Sequence, residues 1–405
     1  MIRAAGGTWL WIAVLAVGAF QVLTMREGFD WFHDSVGYVN HAENLAAGRD
    51  YAESGYIPNP YRYIAPKAYP PGYPLLLAPV VKAFGTDLRI LRMETIVILL
   101  GLLLALGSIL RDQLPRSYLA ALLIAVGIHP LIWENMQRLL SDVPFLLFVV
   151  LGLGAYGKAR AARGIRTRLA LGVLAGALVY YAVITRTLGA VLLPAVLLHD
   201  LIERRFRRIS PAAVALTVTV ALLALGGGRT PFARSLAEAG TMSDLPPNPY
   251  KAMQETEPPP ETEPPPETEP PSETAPPPVP PAEGWEYRHS HTRLMLSNVV
   301  RHLDLVPKRA ARNLLQYARW GAEFWDNGRA PLVGKALFLI GAVVAALGFW
   351  HRMRRHRRAY DLFAVLYFLA LLPWSFGERR YLFPLLPFAW LALLTGVRVL
   401  AEGRR

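Results

Sequence analysis

Long apolar stretches recur along the chain and dominate its pattern. Residues 8–25, 93–110, 117–133 and 143–157 carry almost no charge, and similar stretches follow. Because a helix rises 1.5 Å per residue, each is long enough, or nearly so, to cross a hydrocarbon core of roughly 30 Å. The pattern predicts an all-α polytopic membrane protein with about ten transmembrane helices. The predicted spans are 8–25, 90–110, 117–133, 143–159, 169–185, 188–202, 210–227, 332–350, 359–375 and 381–399.

Basic residues between the spans predict the orientation. With a cytoplasmic N-terminus, the short loops, termini and adjoining span ends on that side hold 20 Lys and Arg, whereas the short turns on the other side hold four. Lys and Arg are retained on the cytoplasmic side during insertion. We therefore expect a multi-pass protein of the cell (inner) membrane with both termini in the cytoplasm. The four arginines left on the exterior side are Arg138, Arg186, Arg379 and Arg380.

Two long segments, both expected outside the cytoplasm, divide the chain. The first, 26–89, contains a short apolar helix at about 74–84 that cannot cross a membrane. The second contains a Glu-Thr-Glu-Pro-Pro-Pro repeat within 245–282, which predicts an extended acidic spacer. The predicted modules are an N-terminal membrane module 1–227, the exterior segment 228–331 and a C-terminal membrane module 332–405.

The end of the second exterior segment, 290–325, predicts one or two amphipathic helices. Their apolar positions would suit helices that lie on the membrane surface. We expect amphipathic surface helices in the first exterior loop as well. These positions are Leu294, Val299, Val300, Leu303, Leu314, Leu315, Trp320 and Trp325.

Composition removes several classes of protein. Of the 405 residues, 53% are hydrophobic, which excludes an ordinary soluble enzyme and a disordered chain. The absence of cysteine excludes disulfides, thiol catalysis and Cys-ligated metals. The net charge of +13 comes mostly from loops between spans, so it indicates membrane orientation and not nucleic-acid binding. Glycine-rich phosphate loops and hydrolase or zinc motifs are absent from the sequence.

The first exterior segment carries the most informative polar residues. Asp34 and Tyr38 are four residues apart and share one face of a helix that Asp34 is placed to begin. A carboxylate at that position either caps free backbone amides or does chemistry. Farther along, Tyr69-Pro70-Pro71-Gly72-Tyr73-Pro74 gives an irregular entry to the short apolar helix.

In order along the chain, these and later motifs resemble the GT-C superfamily of membrane glycosyltransferases. The motifs are an acidic residue after the first span, Tyr-Pro-Pro-Gly-Tyr-Pro, Ser141-Asp142-Val143-Pro144-Phe145, Thr185-Arg186 in a tight hairpin, and Glu378-Arg379-Arg380-Tyr381-Leu382-Phe383-Pro384. The chain is most similar to the bacterial branch that includes protein O-mannosyltransferases, the lipid A aminoarabinose transferase and the rhizobial galacturonosyltransferases. The resemblance covers most of the chain outside 228–330.

The resemblance implies an inverting transfer of a sugar from a polyprenyl-phosphate donor to an acceptor outside the cytoplasm. The acceptor, whether a glycan, a lipid or a protein, needs a base, and the resemblance assigns that role to Asp34. His33 is the alternative base, or a polar neighbour at the interface. The departing lipid phosphate needs cations, and the resemblance favours Arg380, then Arg379 and Arg186. The alternative for these arginines is that they extend to lipid headgroups.

Further residues are substrate-binding candidates. Asp142 begins span four, where it either caps the helix or lies near a substrate. The aminoarabinose transferase type carries a lysine immediately before its Pro-Pro pair, whereas this chain has Tyr69 there and Lys67 two residues earlier. No cofactor is expected, although Asp34 and Asp142 could share a divalent cation. The candidates are His33, Tyr38, Lys67, Tyr69, Arg138, Asp142 and Tyr381.

Two other classes remain open on the sequence. A transporter or flippase of lipid-linked sugars would also have many spans and cationic cavities. Such proteins usually carry charges deep in the membrane and repeated halves, which this sequence lacks. The hypothesis of a surface receptor without enzymatic activity has only the acidic spacer to support it.

Overall fold

The described residues of the computed structural model fold into α-helices joined by turns and short 3₁₀ helices, with no strand among them. These residues are 8–28, 34–51, 69–203, 210–227, 303–324, 331–355, 357–373 and 379–403. The first half contains α1 Thr8–Leu23, α2 Ser35–Ala47, α3 Gly72–Phe84, α4 Leu88–Leu110, α5 Arg116–Gly127, α6 Pro130–Gln137, α7 Asp142–Ala161 and α8 Ile165–Thr185. The second half contains α9 Leu192–Ile202, α10 Pro211–Gly227, α11 Val306–Phe324, α12 Pro331–Arg355, α13 Ala359–Leu371 and α14 Leu386–Glu402.

The apolar helices define a multi-pass membrane protein. Within the described ranges, five helices are long and apolar enough to cross a membrane, and a bent pair raises this number to six. These are α4, α7, α8, Leu332–Arg355 of α12, and Arg379–Glu402, in which a 3₁₀ helix leads into α14. Helices α1, α10 and α13, and the segment Thr187–Ile202, are apolar but shorter. The total of about ten spans therefore stays a prediction.

The third predicted span, 117–133, is not one straight helix. Helix α5 ends at Gly127, α6 begins at Pro130, and their axes differ by 45°. Proline has no amide hydrogen and disfavours helical backbone in the residue before it, so the break falls at His129. The His129 side chain accepts a hydrogen bond from the Leu131 amide, 3.2 Å away, and begins α6.

Helices α2 and α3 confirm the helical reading of the segment 26–89. They pack against each other and form a small apolar core apart from the main one. The observed α3 begins two residues before the predicted helix at 74–84. The buried members of this core are Tyr38, Val39, Ala42, Tyr73, Leu77, Ala78, Val81, Leu91 and Leu139.

Helix α11 confirms an amphipathic helix in 290–325. Tyr317 and Trp320 pack against the main core, and Asn313, one turn before Tyr317, is fully buried. Leu314 and Leu315 point the other way and are exposed. The predicted position of this helix on the membrane surface stays a prediction. The spacer 245–282 and residues 290–302 lie outside the described residues.

The antiparallel pair α7 and α8 defines two ends of the bundle. Asp142 begins α7, and α8 returns to finish at Thr185, so both lie at what we call the Asp142 end. Arg160 lies at the opposite end, about 27 Å away along α7 at 1.5 Å per residue. We call this the Arg160 end. The predicted tight hairpin at Arg186 is confirmed, since a 3₁₀ helix at Thr187–Val191 leads directly into α9.

Candidate active site

Asp34 lies at the start of α2 in contact with two groups from distant parts of the chain. Its Oδ2 accepts a hydrogen bond from Arg380 Nη1 at 2.6 Å, across 346 residues of sequence. Its Oδ1 accepts a hydrogen bond from the Tyr69 hydroxyl at 3.1 Å. The carboxylate makes no capping bond to α2. Capping, the alternative role of Asp34 considered from the sequence, is therefore wrong.

A second arginine and aspartate pair lies at the same end of the bundle. Arg186 Nη1 donates to Asp142 Oδ1, joining the end of α8 to the start of α7. The side chain of Asp142 is 1% exposed. Burial works to lower the pKa of Arg186, but the charge of Asp142 outweighs it and the pKa of Arg186 is raised. Asp142 therefore binds a cation at the start of α7, and Arg186 stays charged although it is largely buried.

The ring of Tyr381 brings the two pairs together. The guanidinium carbon of Arg186 lies 5.6 Å from the ring centroid, and that of Arg380 lies 5.7 Å from it. Cations within about 6 Å of an aromatic face are attracted to it. Both guanidinium groups therefore face protein partners, which favours a role in the site over an extension to lipid headgroups.

Tyr38 forms the floor between the two carboxylates. Its hydroxyl is 2.9 Å from Ser141 Oγ, the residue directly before Asp142. Its ring packs against Tyr69 with a centroid distance of 5.0 Å. Burial, reinforced by the nearby Asp34 charge, raises the pKa of Tyr38, so the phenol stays protonated. Tyr38 thus positions the site, a role that Ser141, not singled out from the sequence, shares.

Tyr69 is held by a clamp formed by His41 and Tyr51. The Tyr69 amide donates to His41 Nε2 at 3.2 Å, and the Tyr51 hydroxyl donates to the Tyr69 carbonyl at 2.7 Å. His41 Nδ1 lies 2.8 Å from the Tyr51 carbonyl, which only accepts, so Nδ1 carries the proton and the ring is neutral. Burial lowers the pKa of His41 to about 4, in agreement with this tautomer.

The Pro-Pro-Gly sequence allows the Tyr69 segment to approach Arg186. A Cβ atom at Gly72 would lie 2.7 Å from the backbone nitrogen and Cα of Thr185, so only glycine fits there. The Gly72 carbonyl accepts a hydrogen bond from the Tyr181 hydroxyl at 3.0 Å. This contact fixes the start of α3 against the end of α8, next to the Arg186–Asp142 pair.

Helix α11 contributes a wall that the sequence did not reveal. Asn313 Nδ2 donates to the Leu372 carbonyl at 2.9 Å and attaches α11 to the end of α13. The Tyr317 ring lies 6.2 Å from the Phe368 ring. Tyr367, fully buried on α13, packs against Phe145 of α7 at 6.3 Å. These tyrosines surround the side of Tyr381 and Arg186 that faces α13.

The remaining predicted residues divide into two groups. Arg138 lies at the end of α6, where its Nη1 is 2.9 Å from Glu134 Oε1. Arg379 lies beside Arg380 but is exposed, so it can serve either a substrate or a lipid headgroup. His33 and Lys67 lie outside the described residues.

A divalent cation shared by Asp34 and Asp142 stays a prediction from the sequence. The described part of the chain has no group of three or more His, Asp and Glu residues that could hold a metal ion. Asp34 and Asp142 each face a guanidinium group instead. A divalent cation would be repelled by these fixed positive charges and would have to displace them.

The helix arrangement is a GT-C-like fold, because solved structures of an oligosaccharyltransferase share it. The chain matches archaeal oligosaccharyltransferase AglB from Archaeoglobus fulgidus in complex with an inhibitory peptide and a dolichol-phosphate, with a TM-score of 0.54, 13% identity, and coverage of 99% of this chain and 51% of that chain. A structure of the Archaeoglobus fulgidus oligosaccharyltransferase tethered to an acceptor peptide with the NVT sequon matches with a TM-score of 0.55 and 11% identity over 99% of this chain and 50% of that chain.

A third structure of that enzyme, in complex with Zn and sulfate, matches with a TM-score of 0.55 and 14% identity over 98% of this chain and 49% of that chain. The chain therefore spans about half the length of these proteins. The predicted GT-C-like fold is confirmed, whereas membership of the superfamily and of its bacterial branch stays a prediction. No protein-family profile and no curated relative matches the chain.

Proposed function

We propose that the protein is an inverting glycosyltransferase that moves a sugar from a polyprenyl-phosphate donor to an acceptor on the exterior face of the membrane. The observation that carries the proposal is the contact between Asp34 and Arg380 beside Arg186, at one end of a GT-C fold. A base for the acceptor and cations for the departing phosphate are the two requirements of this reaction. The acceptor is a glycan, a lipid or a protein.

Asp34 acts as the base. Arg380 donates a hydrogen bond to Oδ2 of this carboxylate, and Tyr69 fixes its orientation by donating to Oδ1. An acceptor hydroxyl gives its proton to Asp34 while its oxygen attacks the anomeric carbon. The bond from that carbon to the phosphate oxygen breaks, and the phosphate leaves with the bonding electron pair. Attack from the face opposite the leaving group inverts the anomeric configuration.

Arg380 and Arg186 stabilise the departing phosphate. Both guanidinium groups contact carboxylates at rest, and each has further N–H groups to offer to an anion. When the donor phosphate takes hydrogen bonds from Arg380, it draws that arginine from Asp34. Oδ2 of Asp34 then loses the hydrogen bond from Arg380 and becomes available to the acceptor hydroxyl. Donor binding would thereby expose the base only when a sugar is in place.

The reaction does not require a metal in this proposal. Guanidinium groups occupy the positions next to Asp34 and Asp142 that a divalent cation would need. Sugar transfer should therefore persist in an excess of EDTA. A loss of transfer that added Mg²⁺, Mn²⁺ or Zn²⁺ restores would contradict this part of the proposal.

The Asp142 end faces the exterior in this proposal, as the distribution of basic loops indicates. The natural chain has no cysteine, so single cysteines can report its topology directly. Arg49→Cys lies after α2 and Arg163→Cys lies between α7 and α8. An impermeant maleimide should label Cys at 49 in intact cells and Cys at 163 only after permeabilisation. The reverse pattern would place the site in the cytoplasm.

The central test is sugar transfer by the purified protein in lipid nanodiscs. A synthetic polyprenyl-phosphate sugar is the donor, and released polyprenyl phosphate is measured together with glycosylated acceptor from an envelope extract. Asp34→Asn should lower the rate of release by about 10²- to 10⁴-fold. Asp304→Asn, which changes an exposed aspartate before α11, should leave the rate unchanged. Release by Asp34→Asn at the wild-type rate would contradict the role of the base.

The alternative function is a transporter or flippase of lipid-linked sugars. Such a protein would move the donor between leaflets without breaking the bond to phosphate. Proteoliposomes that contain a fluorescent polyprenyl-phosphate sugar distinguish the two. Translocation of intact donor, with no released polyprenyl phosphate at any acceptor concentration, would favour the transporter and contradict the transferase.

A further inference from the structure

A polar cavity opens at the Arg160 end, far from Asp34. It has a volume of about 520 Å³ and lies between the last turns of α4 and α7 and the start of α13. Its apolar part includes Ile109, Leu153 and Gly154. These residues belong to the membrane-spanning parts of α4 and α7, so the cavity extends from the end of the bundle down toward the hydrocarbon level.

The charged lining of this cavity is strongly basic. Four cations, Arg111, Lys158, Arg160 and Arg358, line it together with one carboxylate, Asp112. Arg160 is paired with Asp200 at 3.1 Å and Glu203 at 3.8 Å, and Arg111 lies 3.8 Å from Asp112, so the excess positive charge comes from Lys158 and Arg358. Lys158 and Arg358 are exposed at the rim. The cavity therefore presents a net positive charge above an apolar floor.

The wall of the cavity is rigidly built. Arg352 donates to Asp361 through two nitrogens, at 3.0 and 3.1 Å, and to Gln113 Oε1 at 3.0 Å. Gln113 lines the large cavity and also a neighbouring cavity of about 300 Å³ that shares Asp112 and Arg358 with it. The Arg358 amide donates to Asp361 Oδ2 at 3.2 Å, so this partition fixes the backbone of one of the two rim cations.

We propose that this cavity binds the phosphate headgroup of an anionic membrane phospholipid, with the first part of an acyl chain on Ile109 and Leu153. Lys158 and Arg358 would bind the phosphate, since ammonium and guanidinium groups are the usual phosphate ligands. A position where spanning helices end is where lipid headgroups lie. A free phosphate ion would pair with Lys158 and Arg358 but would leave the apolar side chains of Ile109 and Leu153 without a contact. This site is separate from the proposed transferase centre.

The test compares lipid binding by three forms of the full-length protein. The wild type, a Lys158→Gln/Arg358→Gln variant and a control Arg163→Gln/Arg166→Gln variant are placed in phosphatidylcholine nanodiscs and titrated with phosphatidylglycerol. The control removes the same charge from the same end but outside the cavity lining. Native mass spectrometry gives bound lipid, and thermal melting gives the stabilisation.

The cavity variant should bind phosphatidylglycerol about 30-fold more weakly than wild type, whereas the control should bind within about threefold of it. Donor cleavage should be unchanged when lipid is saturating. Equal weakening in both variants would show general surface attraction and overturn the proposal. Stabilisation by inorganic phosphate as large as that by phosphatidylglycerol would identify a free-anion site and also overturn it. If the cavity variant is misfolded by circular dichroism, Arg111→Gln replaces it with the same expected direction.

Discussion

Arginine and aspartate pairs at the two ends of the bundle differ in a way that separates structure from chemistry. At the Arg160 end, Arg352 and Asp361 form two parallel bonds, and their side chains are 3% and 4% exposed. At the Asp142 end, Arg380 and Asp34 share one contact of 2.6 Å, and their side chains are 21% and 25% exposed. The first pair is closed to any substrate. The second pair is open to one.

The two pairs also differ in what they connect. Arg352 and Asp361 are nine residues apart and fix the turn between α12 and α13. Arg380 and Asp34 join opposite ends of the sequence, where water or a ligand can replace either partner. Removing one member of a closed pair leaves a buried charge without compensation, whereas an open pair can be rehydrated. The same substitution should therefore have opposite consequences at the two ends.

The largest expected effect is on turnover at the open pair. Asp34→Asn keeps the shape of the side chain but cannot accept the acceptor proton. We expect donor cleavage to fall by about 10²- to 10⁴-fold, because this is the usual contribution of general base catalysis. The melting temperature should change little. An Asp34→Asn protein with wild-type turnover, or one that loses activity only because it unfolds, would contradict a catalytic role for the Arg380–Asp34 pair.

At the closed pair the same type of substitution should act on stability. Asp361→Asn leaves Arg352 charged and buried, which costs about 3–5 kcal/mol in comparable buried pairs. We expect a much lower melting temperature and a lower yield of folded protein, with normal turnover per folded molecule. Melting followed by intrinsic fluorescence, with active protein counted by donor binding, measures both. A stable but inactive Asp361→Asn protein would contradict a structural role.

The two adjacent arginines 379 and 380 provide a matched comparison within the site. Arg380→Gln removes a cation aimed at the phosphate, and we expect about a 10²- to 10³-fold loss in kcat. Arg379 is exposed, so Arg379→Gln should change kcat by less than about 10-fold. Steady-state release of polyprenyl phosphate measures both variants. A larger loss for Arg379→Gln would reverse the assignment of the principal phosphate ligand.

The sequence predicted the membrane helices and the charged partners of the site, but not their pairing. Assigning the basic residues to the two sides of the membrane singled out Arg186 and Arg380, because the orientation rule does not explain arginines in the exterior turns. Their carboxylate partners lie 44 and 346 residues away, and no local pattern encodes such distances. The capping alternative for Asp34 was reasonable from the sequence, since a helix does begin there. Only the folded position of Arg380 decided against it.

Other parts were inaccessible to sequence reasoning for physical reasons. His41 and Tyr51 act through backbone atoms of Tyr69, so their chemistry leaves no motif. The inward face of α11 carries Asn313 and Tyr317, which look like surface residues until α13 is placed beside them. Hydrophobic periodicity locates helices well, but polar contacts between helices depend on tertiary packing.

A smaller effect is expected from the hydrogen bond that orients the base. Tyr69→Phe removes the donor to Asp34 Oδ1 and keeps the aromatic packing against Tyr38. A hydrogen bond to a charged group contributes about 1.5–3 kcal/mol, so we expect a loss of roughly 10- to 100-fold in kcat. The KM for the donor should not change. An increase in KM without a change in kcat would mean that Tyr69 contacts the substrate instead of positioning the base.

The smallest effect concerns pH, and it tests whether the open site depends on a rigid support. His41 is neutral in the folded protein with a pKa of about 4, whereas an ordinary histidine has a pKa of 6.5. The unfolded chain therefore binds more protons between these values, and the stabilisation present above about pH 6.5 is lost as the pH falls toward 4. Protonation would also remove the acceptor of the Tyr69 amide. We expect the melting temperature of wild type to fall between pH 6.5 and 4.5 more steeply than that of His41→Gln, which is less stable at pH 7 but has no group to titrate there. Parallel melting curves for the two proteins would show that the clamp does not couple to folding, and that Tyr69 is held by other contacts.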